Sequence, residues 1–339
     1  MLKILRSLFT PAAFAAAEAR AEMDEPAPTE IVLDGFPEFA LERHLHWHND
    51  IPILDWDAVH AWIGEGQWGD AQNTAWTACE RAWLMHFRHA LGVEYGLTES
   101  DSSILLSSLE PKMARATLAY MDRTLKRITN VLDGIAQIPP CGKDILILLR
   151  DADSYYNYCS YYYPDNDGEF AYSGGMHIDA GCSHYLMVEA PLDMLEPVIA
   201  HEMTHGCVAH LPLPLWLNEG LAVNTERRLA GRSAARYTPQ ELRDKHLSFW
   251  GDEEIQEFWS GKSFHRPDDG NLLSYDLASI MVEHMARDWE RFKAFVVNAQ
   301  WADSGAESAT QHLKLELGAF VCSLLGKTDT GNWAPQPST

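Results

Sequence analysis

The amino-acid sequence predicts an α+β fold, with a small mixed sheet in the middle of the chain and helices before and after it. Two observations lead to this class. Short runs with the pattern of β-strands lie between residues 93 and 188, and long helical periodicities flank them. The chain has 339 residues, of which 46% are hydrophobic, and this is enough to build one large or two modest cores.

The N-terminal region, residues 1–91, is predicted to be a tail followed by a Trp-rich helical part. Five apolar residues recur there at helical spacing, so they should share one face of a helix. They are Trp76, Cys79, Trp83, Phe87 and Leu91, and Trp56, Trp62 and Trp68 precede them. A carbohydrate or cofactor platform is the alternative interpretation of so many tryptophans, and a core between helices is the preferred one.

The predicted strands come next, interrupted by one long helix that Pro139–Pro140 ends. Six apolar residues of this helix form a single stripe: Leu118, Met121, Leu125, Ile128, Leu132 and Ile135. The continuous apolar run Ile145–Leu149 is typical of a strand covered on both faces. The other predicted strands are 93–98, 104–108, 170–178 and 184–188. From residue 192 the pattern is helical, and 329–339 is predicted to be a flexible tail.

The charge and composition of the chain exclude some partners. Its 49 acidic and 26 basic residues give a formal net charge of −23, which repels nucleic acid and anionic membranes and attracts basic peptides. No segment has the roughly 20 unbroken apolar residues of a membrane span. The six cysteines are scattered, so reduced thiols in a cytoplasmic protein are favoured. The run from Lys3 to Ala17 faintly resembles a secretory signal, which leaves export as the alternative.

The segment HEMTH, from His201 to His205, is the main functional signal of the sequence. Residues four apart on a helix lie on one face, so both imidazoles can bind one metal ion. Glu202 flanks this face, where a carboxylate can take a proton from a metal-activated water. Pro197 is expected in the first turn, so the helix should begin near residues 193–196. The alternative is an exposed turn with two solvated histidines, which the second motif at residues 214–222 disfavours.

A third candidate ligand is Glu219, fourteen residues after His205. It belongs to PLWLNEGLA, residues 214–222, which is predicted to form a second helix after a proline-containing turn. Two histidines and one carboxylate leave a tetrahedral zinc ion with a position for water, as in catalytic rather than structural sites. The sequence therefore predicts one zinc ion per chain, held by His201, His205 and Glu219.

HEMTH followed by PLWLNEGLA resembles the gluzincin metallopeptidases, in particular the minimal peptidase-MA-like group, whose second motif reads WLxEGLA. The resemblance covers residues 93–325. It implies a zincin-like catalytic domain, with His201, His205 and Glu219 as zinc ligands and Glu202 as general base and proton shuttle. The substrate that it implies is a peptide or protein.

Members of this group usually add a Tyr or His that donates a hydrogen bond to the oxyanion of the transition state. The best match in this chain is Tyr275, which lies 56 residues beyond Glu219 in LLSYDLASIMVEHM. His265 is the substitute. A core tyrosine without a catalytic role is the alternative for Tyr275.

The chain departs from the group in two places. Aminopeptidases of the clan carry a GxMEN segment, and the nearest run, Gly174–Asp179, lacks its Glu, which disfavours an aminopeptidase. Many relatives also place an Asp four residues after the Glu ligand to orient a zinc histidine. That position is Val223 here, and Asn224 is the remaining candidate. The strand at 184–188 is a candidate edge for pairing with a peptide, and a central strand is the alternative.

These patterns together predict a zinc-dependent metallopeptidase whose catalytic domain covers residues 92–328. Two alternatives stay open: an inactive zinc-binding scaffold of the same fold, and a metallohydrolase of non-peptide amides or esters. Glu202 argues against the scaffold, because a structural metal site has no use for that carboxylate. The sequence makes no prediction about the oligomeric state.

Overall fold

The structure is a computed structural model that describes residues 26–64, 69–163, 174–231, 237–328 and 330–336. The signal-like N-terminus, Trp68 and residues 170–173 of a predicted strand lie outside these ranges. The fold is α+β with a small five-stranded mixed sheet, as the sequence predicts. Contacts divide the chain into two compact units, the first containing residues 1–123, 139–168 and 174–192, and the second the remainder. The predicted domain boundary between residues 91 and 92 stays a prediction.

The N-terminal region contains a β-hairpin that the sequence analysis did not predict. After a 3-10 turn at Leu41–His44, β1 (Leu45–His48) pairs antiparallel with β2 (Ile51–Leu54). The residues between them, Asn49 and Asp50, have φ angles of 47° and 67°, which is the left-handed backbone of a tight hairpin turn. The predicted helices follow as α1 (Trp56–Ile63) and α2 (Asp70–Leu91).

Helix α2 presents four of the five residues of the predicted apolar face to the core, and Leu91 at its end is half-buried. Trp76, Cys79, Trp83 and Phe87 are all buried, and the Trp83 indole N–H donates to the carbonyl oxygen of Pro52 at 2.9 Å, which ties the helix to the hairpin. The two tryptophans pack with Trp56 at centroid distances of 5.0 and 5.6 Å. This is the core arrangement rather than an exposed aromatic platform.

One carboxyl group, that of Glu80, is buried on the same helix. Its Oε1 accepts from the Trp76 indole at 2.7 Å and its Oε2 accepts from the Lys143 backbone N–H at 3.1 Å. Burial raises the pKa of Glu80 from its ordinary value of 4.5 to about 8, against the opposing effect of these hydrogen bonds.

The five-stranded sheet is also part of the first unit. Its strands are β3 (Gly96–Glu99), β4 (Ser103–Ser107), β5 (Asp144–Leu149), β6 (Gly175–Ala180) and β7 (Cys182–Val188), in the order β3-β4-β5-β7-β6. The three inner strands are parallel, and both edge strands pair antiparallel. Every residue of β4 and β5 is buried. Because β7 lies between β5 and β6, the prediction of a free pairing edge at 184–188 is wrong, and the central-strand alternative holds.

A helix lies in each connection between the parallel strands, as parallel pairing usually requires. α3 (Pro111–Val131) lies between β4 and β5 in the chain, and α4 (Ala152–Tyr162) follows β5. All six residues of the predicted stripe on α3 and its C-terminal extension are buried. The last two of them follow the helix in a turn.

The second unit is helical in its described part, as predicted from residue 192 onward. Its longer helices are α5 (Leu192–Val208), α6 (Leu215–Leu229), α7 (Pro239–Phe249), α8 (Asp252–Ser260), α9 (Asp269–Met285), α10 (Trp289–Asn298) and α11 (Leu317–Leu325). A 3-10 turn at Lys262–His265 precedes α9, and Trp301–Asp303, Ala306–Ser308 and the π-helical turn Ala309–Leu313 lie between α10 and α11.

The C-terminal segment, for which the sequence predicts a flexible tail, packs on the second unit where it is described. Trp333 is buried, and its carbonyl oxygen accepts from the indole of Trp259 at 2.9 Å. The side chain of Gln256 donates to the carbonyl oxygens of Asn332 and Ala334.

Two further predictions concern the chain as a whole. All six cysteines are free thiols. Within the described residues, no helix combines the length and the apolar surface that crossing a bilayer would require.

Candidate metal centre

Helix α5 carries HEMTH in its third and fourth turns. It begins at Leu192, slightly earlier than predicted, so Pro197 lies inside the helix rather than in its first turn. The apolar flanks are buried, and Cys207 is part of this core, as expected for a residue that does not bind the metal. The rings of His201 and His205 face the same way, with centroids 4.9 Å apart.

Helix α6 carries Glu219 and begins directly after Pro214, which serves as its N-cap. The turn between α5 and α6 is closed by a hydrogen bond from the backbone N–H of Leu211 to the carbonyl oxygen of Val208 at 2.9 Å. The buried Trp216 anchors the new helix, since its indole N–H donates to the carbonyl oxygen of Ser304 at 3.0 Å. One turn later, the Glu219 carboxylate lies buried beside both histidines.

The three predicted ligands meet at one point. Glu219 Oε2 lies 3.2 Å from His201 Nε2 and 3.6 Å from His205 Nε2. One ligand atom from each side chain lies within 4.8 Å of the other two, and within the described residues this is the one such group. His201, His205 and Glu219 could therefore hold a metal ion.

The outward nitrogen of each histidine has a hydrogen-bond acceptor. His201 Nδ1 donates to Glu226 Oε2 at 3.1 Å, and His205 Nδ1 donates to Asn218 Oδ1 at 2.9 Å. A carboxylate can only accept, so His201 Nδ1 carries a proton for Glu226, and Nε2 is the nitrogen that faces Glu219. Partners of this kind orient metal-binding imidazoles and raise their basicity.

Neither of these two hydrogen-bond partners, Glu226 and Asn218, was predicted from the sequence. Glu226 follows Glu219 by seven residues, close to two helical turns, so the two carboxylates project from nearly the same face of α6. That spacing is the signal that could have identified it. The candidate that the sequence analysis named, Asn224, is wrong: its amide donates to the carbonyl oxygens of Gly220 and Ser279.

The electrostatics of the group favour a positive charge. Burial opposes protonation of the His201 imidazole, yet its hydrogen bonds to Glu219 and Glu226 raise its pKa well above the ordinary value. Burial likewise opposes ionisation of Glu219, and the neighbouring His205 and His201 lower its pKa. The buried carboxylates therefore stabilise a cation among these side chains, and a divalent metal ion would be one.

Glu202 and Tyr275, the predicted catalytic residues, lie near this group. Glu202 is buried on α5, and its charge contributes to the raised pKa of His201. The ring centroid of Tyr275, on α9, lies 6.5 Å from that of His201, and the same ring packs nearly perpendicular to Phe264 at a centroid distance of 5.2 Å. Burial and the charges of Glu219 and Glu202 raise the pKa of Tyr275, so the phenol keeps its proton.

Gly220, the residue after the candidate ligand Glu219, allows α9 to pack closely against α6. A Cβ at Gly220 would lie 2.7 Å from the carbonyl oxygen of Ala278 and 2.6 Å from a methyl of Val282. Only a residue without a side chain allows the backbones of α6 and α9 to approach at this point. The substitute donor, His265, is an exposed residue at the end of the 3-10 turn before α9.

The chain matches no protein-family model, and no curated protein is significantly similar to it. The membership in the gluzincin group that the two motifs imply therefore stays a prediction.

Proposed function

We propose that this protein is a zinc-dependent hydrolase of the peptidase type. The observation that carries the proposal is the convergence of His201, His205 and Glu219 in one largely buried group, with the buried Glu202 on the same helix close enough for its charge to act on His201. A structural metal site would need the ligands only. A buried carboxylate next to them is what a hydrolytic site adds, because the attacking water must lose a proton.

The donor set and its spacing support zinc as the metal. Two nitrogens and one carboxylate oxygen are the ligands of many catalytic zinc sites. Ligands that are each about 2.0–2.1 Å from a tetrahedral ion lie about 3.4 Å apart. The separations of 3.2 and 3.6 Å between Glu219 Oε2 and the two Nε2 atoms are close to this value. Magnesium and calcium prefer all-oxygen sites, so the two imidazoles argue against them.

The roles of the surrounding side chains follow from their chemistry. A zinc ion held by these ligands would lower the pKa of a bound water and polarise the scissile carbonyl. Glu202 accepts the proton of the attacking water and delivers it to the leaving amine. The Tyr275 phenol, which stays protonated, donates a hydrogen bond to the oxygen on which negative charge develops. Glu226 and Asn218 hold the two imidazoles in the required tautomer.

The choice of a peptide as substrate is supported by the motif resemblance and by the charge of the chain. A net charge of −23 attracts basic peptides and disfavours nucleic acid and anionic membranes. A non-peptide amide or an ester would use the same chemistry, so the substrate class must be tested directly.

The test is a survey of cleavage with the zinc-loaded protein, using a mixed peptide library beside simple amide and ester substrates. We expect chelator-sensitive peptide cleavage that returns when zinc is added, and cleavage positions within the peptides rather than at their N-termini. Cleavage of esters or amides alone would replace the peptidase with a different metallohydrolase. Zinc binding without any turnover would favour a scaffold.

The variant Glu202→Gln tests the mechanism within the same survey. The amide cannot accept the water proton, so turnover should fall by a factor of about 100 or more, while zinc content stays near one per chain. The control is Glu253→Gln, which makes the same change of charge at an exposed position of α8. Undiminished cleavage by Glu202→Gln would refute the role of that carboxylate.

A further inference from the structure

A buried polar network lies in the second unit between α6, α7 and α9, and none of its members is a metal ligand. It consists of Asp276 on α9, His246 and Trp250 on or next to α7, and Arg227 on α6. His246 and Trp250 are almost fully buried. Asp276 directly follows Tyr275 in the chain, so the network is attached to the same turn of α9 that carries the proposed oxyanion donor.

The direction of each hydrogen bond in this network is determined by chemistry. The indole N–H of Trp250 can only donate, and it lies 2.8 Å from His246 Nδ1, which must therefore accept. The remaining nitrogen, Nε2, then carries the ring proton and donates it to Asp276 Oδ2 at 3.0 Å. Trp250 thus holds His246 in the neutral tautomer that can bind a carboxylate.

The other oxygen of Asp276 faces α6. Arg227 Nη2 lies 3.5 Å from Asp276 Oδ1, and Arg227 Nη1 donates to Ser279 Oγ at 2.5 Å. Burial opposes ionisation of Asp276, but the His246 hydrogen bond and the Arg227 charge lower its pKa, so it is a carboxylate. One side chain of α9 is therefore held from two directions, by α7 and by α6.

These contacts restrain the rotation of α9 about its own axis. Neighbouring residues on a helix project about 100° apart, so fixing the direction of Asp276 also fixes that of Tyr275. The contact at Gly220 sets how closely α9 approaches α6, and the buried apolar side chains of α9 define its core-facing side. The Asp276 network adds a directional polar restraint on the turn that carries Tyr275.

We propose that Asp276 is a positioning residue, which, held by His246 and Arg227, keeps the Tyr275 phenol directed at the metal centre. The inference rests on the proposed function only in giving Tyr275 a role in turnover. The orientation itself is a property of the second unit and can be measured without any substrate.

The informative variant is Asp276→Asn, because the amide cannot satisfy both partners. His246 and Arg227 both present N–H donors, whereas Asn offers one oxygen and one NH₂ group. Whichever way the amide is turned, one donor faces another donor, and that contact is lost. His246 cannot adapt by changing its tautomer while the Trp250 indole donates to Nδ1. The side chain keeps its size, so the packing of α9 is otherwise unchanged.

The first measurement uses 3-fluorotyrosine in the full chain and follows the ¹⁹F resonance of residue 275, identified by its loss in Tyr275→Phe. Addition of zinc should shift this resonance in the wild type, and the shift should shrink by more than half in Asp276→Asn. Glu283→Gln, the same loss of charge at an exposed position of α9, should behave like the wild type. An unchanged zinc-induced shift in Asp276→Asn would overturn the proposal.

The second measurement is a double-mutant cycle on turnover. Misplacing the phenol should lower kcat of Asp276→Asn by about 10-fold or more with little change in KM. In the Tyr275→Phe background the same substitution should have almost no further effect, because the group through which it acts is gone. Equal losses in both backgrounds would mean that Asp276 acts independently of Tyr275, and the proposal would fail.

The two measurements separate this inference from the proposed function. If the zinc-loaded wild type hydrolyses nothing, the proposed function fails, and the fluorine experiment still decides whether Asp276 orients Tyr275. If Asp276→Asn does not fold, Arg227→Gln replaces it, since that change removes the α6 contacts with Asp276 and Ser279 and leaves the His246 hydrogen bond in place, and Ser279→Ala, which removes only the Ser279 contact, is its control. Arg227→Gln should reduce the zinc-induced shift in the same direction, and an unchanged shift would again overturn the proposal.

Discussion

Glu226 should set how tightly the centre binds zinc, although it is not a ligand. Its Oε2 accepts from His201 Nδ1 at 3.1 Å, and the carboxylate is largely buried. In Glu226→Gln an amide oxygen can still accept the hydrogen bond, but the negative charge is lost. Glu226→Ala removes both the charge and the acceptor. The pair of variants therefore separates two contributions to one contact.

The magnitude follows from the type of hydrogen bond that is changed. A hydrogen bond to a charged group contributes about 1.5–3 kcal/mol, and one between neutral groups about 0.5–1.5 kcal/mol. Replacing the charged hydrogen bond with a neutral one costs about 1–1.5 kcal/mol of binding free energy, so the Kd for zinc should rise by about 5- to 13-fold in Glu226→Gln. In Glu226→Ala the rise should approach about 100-fold. Asn218→Ala loses a neutral hydrogen bond to His205 and should cost about 5-fold.

The assay is zinc affinity measured by competition with a chelator at fixed pH and ionic strength. Glu253→Gln is the control for net charge and should leave Kd unchanged. The Kd for zinc should be highest in Glu226→Ala, followed by Glu226→Gln and Asn218→Ala, and lowest in the wild type. Equal affinity of Glu226→Gln and the wild type would show that the outer carboxylate does not act on the metal site through its charge. An equal loss of zinc affinity in Glu253→Gln would mean that the effect comes from the net charge of the protein rather than from the contact with His201.

Further outcomes are expected at other positions. Tyr275→Phe should lower kcat by about 100-fold and leave zinc affinity unchanged, as measured by steady-state kinetics and the chelator competition. Gly220→Ala places a methyl group against a backbone carbonyl, so it should destabilise the protein by about 1–3 kcal/mol in urea unfolding; a more stable variant would contradict the close approach of α6 and α9. Zinc at about 100 times its Kd should raise the free energy of unfolding by about 2.7 kcal/mol, an increase that a chelator removes. The pKa of Glu80, raised by burial from 4.5 to about 8, means that the folded state holds a proton that the unfolded state releases. Its contribution to stability is complete below pH 4.5 and is lost as the pH rises through about 8, so Glu80→Gln should flatten the fall in unfolding free energy over that range.

Local periodicity predicted most of the secondary structure. The apolar run 145–149 became the buried strand β5, and the stripe from Leu118 to Ile135 became the buried side of α3 and its extension. Both patterns depend only on neighbours in the sequence. The β1–β2 hairpin was missed for the same reason: its strands are short, and tryptophans and histidines in and around them fit a helix equally well. The one local signal was the Asn49–Asp50 pair, which tolerates the left-handed backbone of the turn.

The candidate ligands of the metal centre could be predicted from the sequence, but the side chains that hydrogen-bond to these ligands could not. The spacing of His201 and His205 and the motif around Glu219 are visible in the sequence, because each pattern lies within a single helix. The hydrogen bond from His201 to Glu226 joins two helices, and the position of Asn224 is taken by contacts with α9. Such partners depend on the angle and distance between helices, which no spacing along the chain encodes.

Gly220, which follows the candidate ligand Glu219, has a structural role that its sequence context does not reveal. In the sequence it reads as an unfavourable residue inside a helix, which costs about 1 kcal/mol relative to alanine. In the structure it is the point where the backbone of α9 meets α6, and a side chain there would push Tyr275 away from His201. The apparent defect in helix propensity is therefore compensated by the approach that it permits. Gly220 disagrees with the helix around it and lies beside the proposed chemistry, which is where such local conflicts are expected.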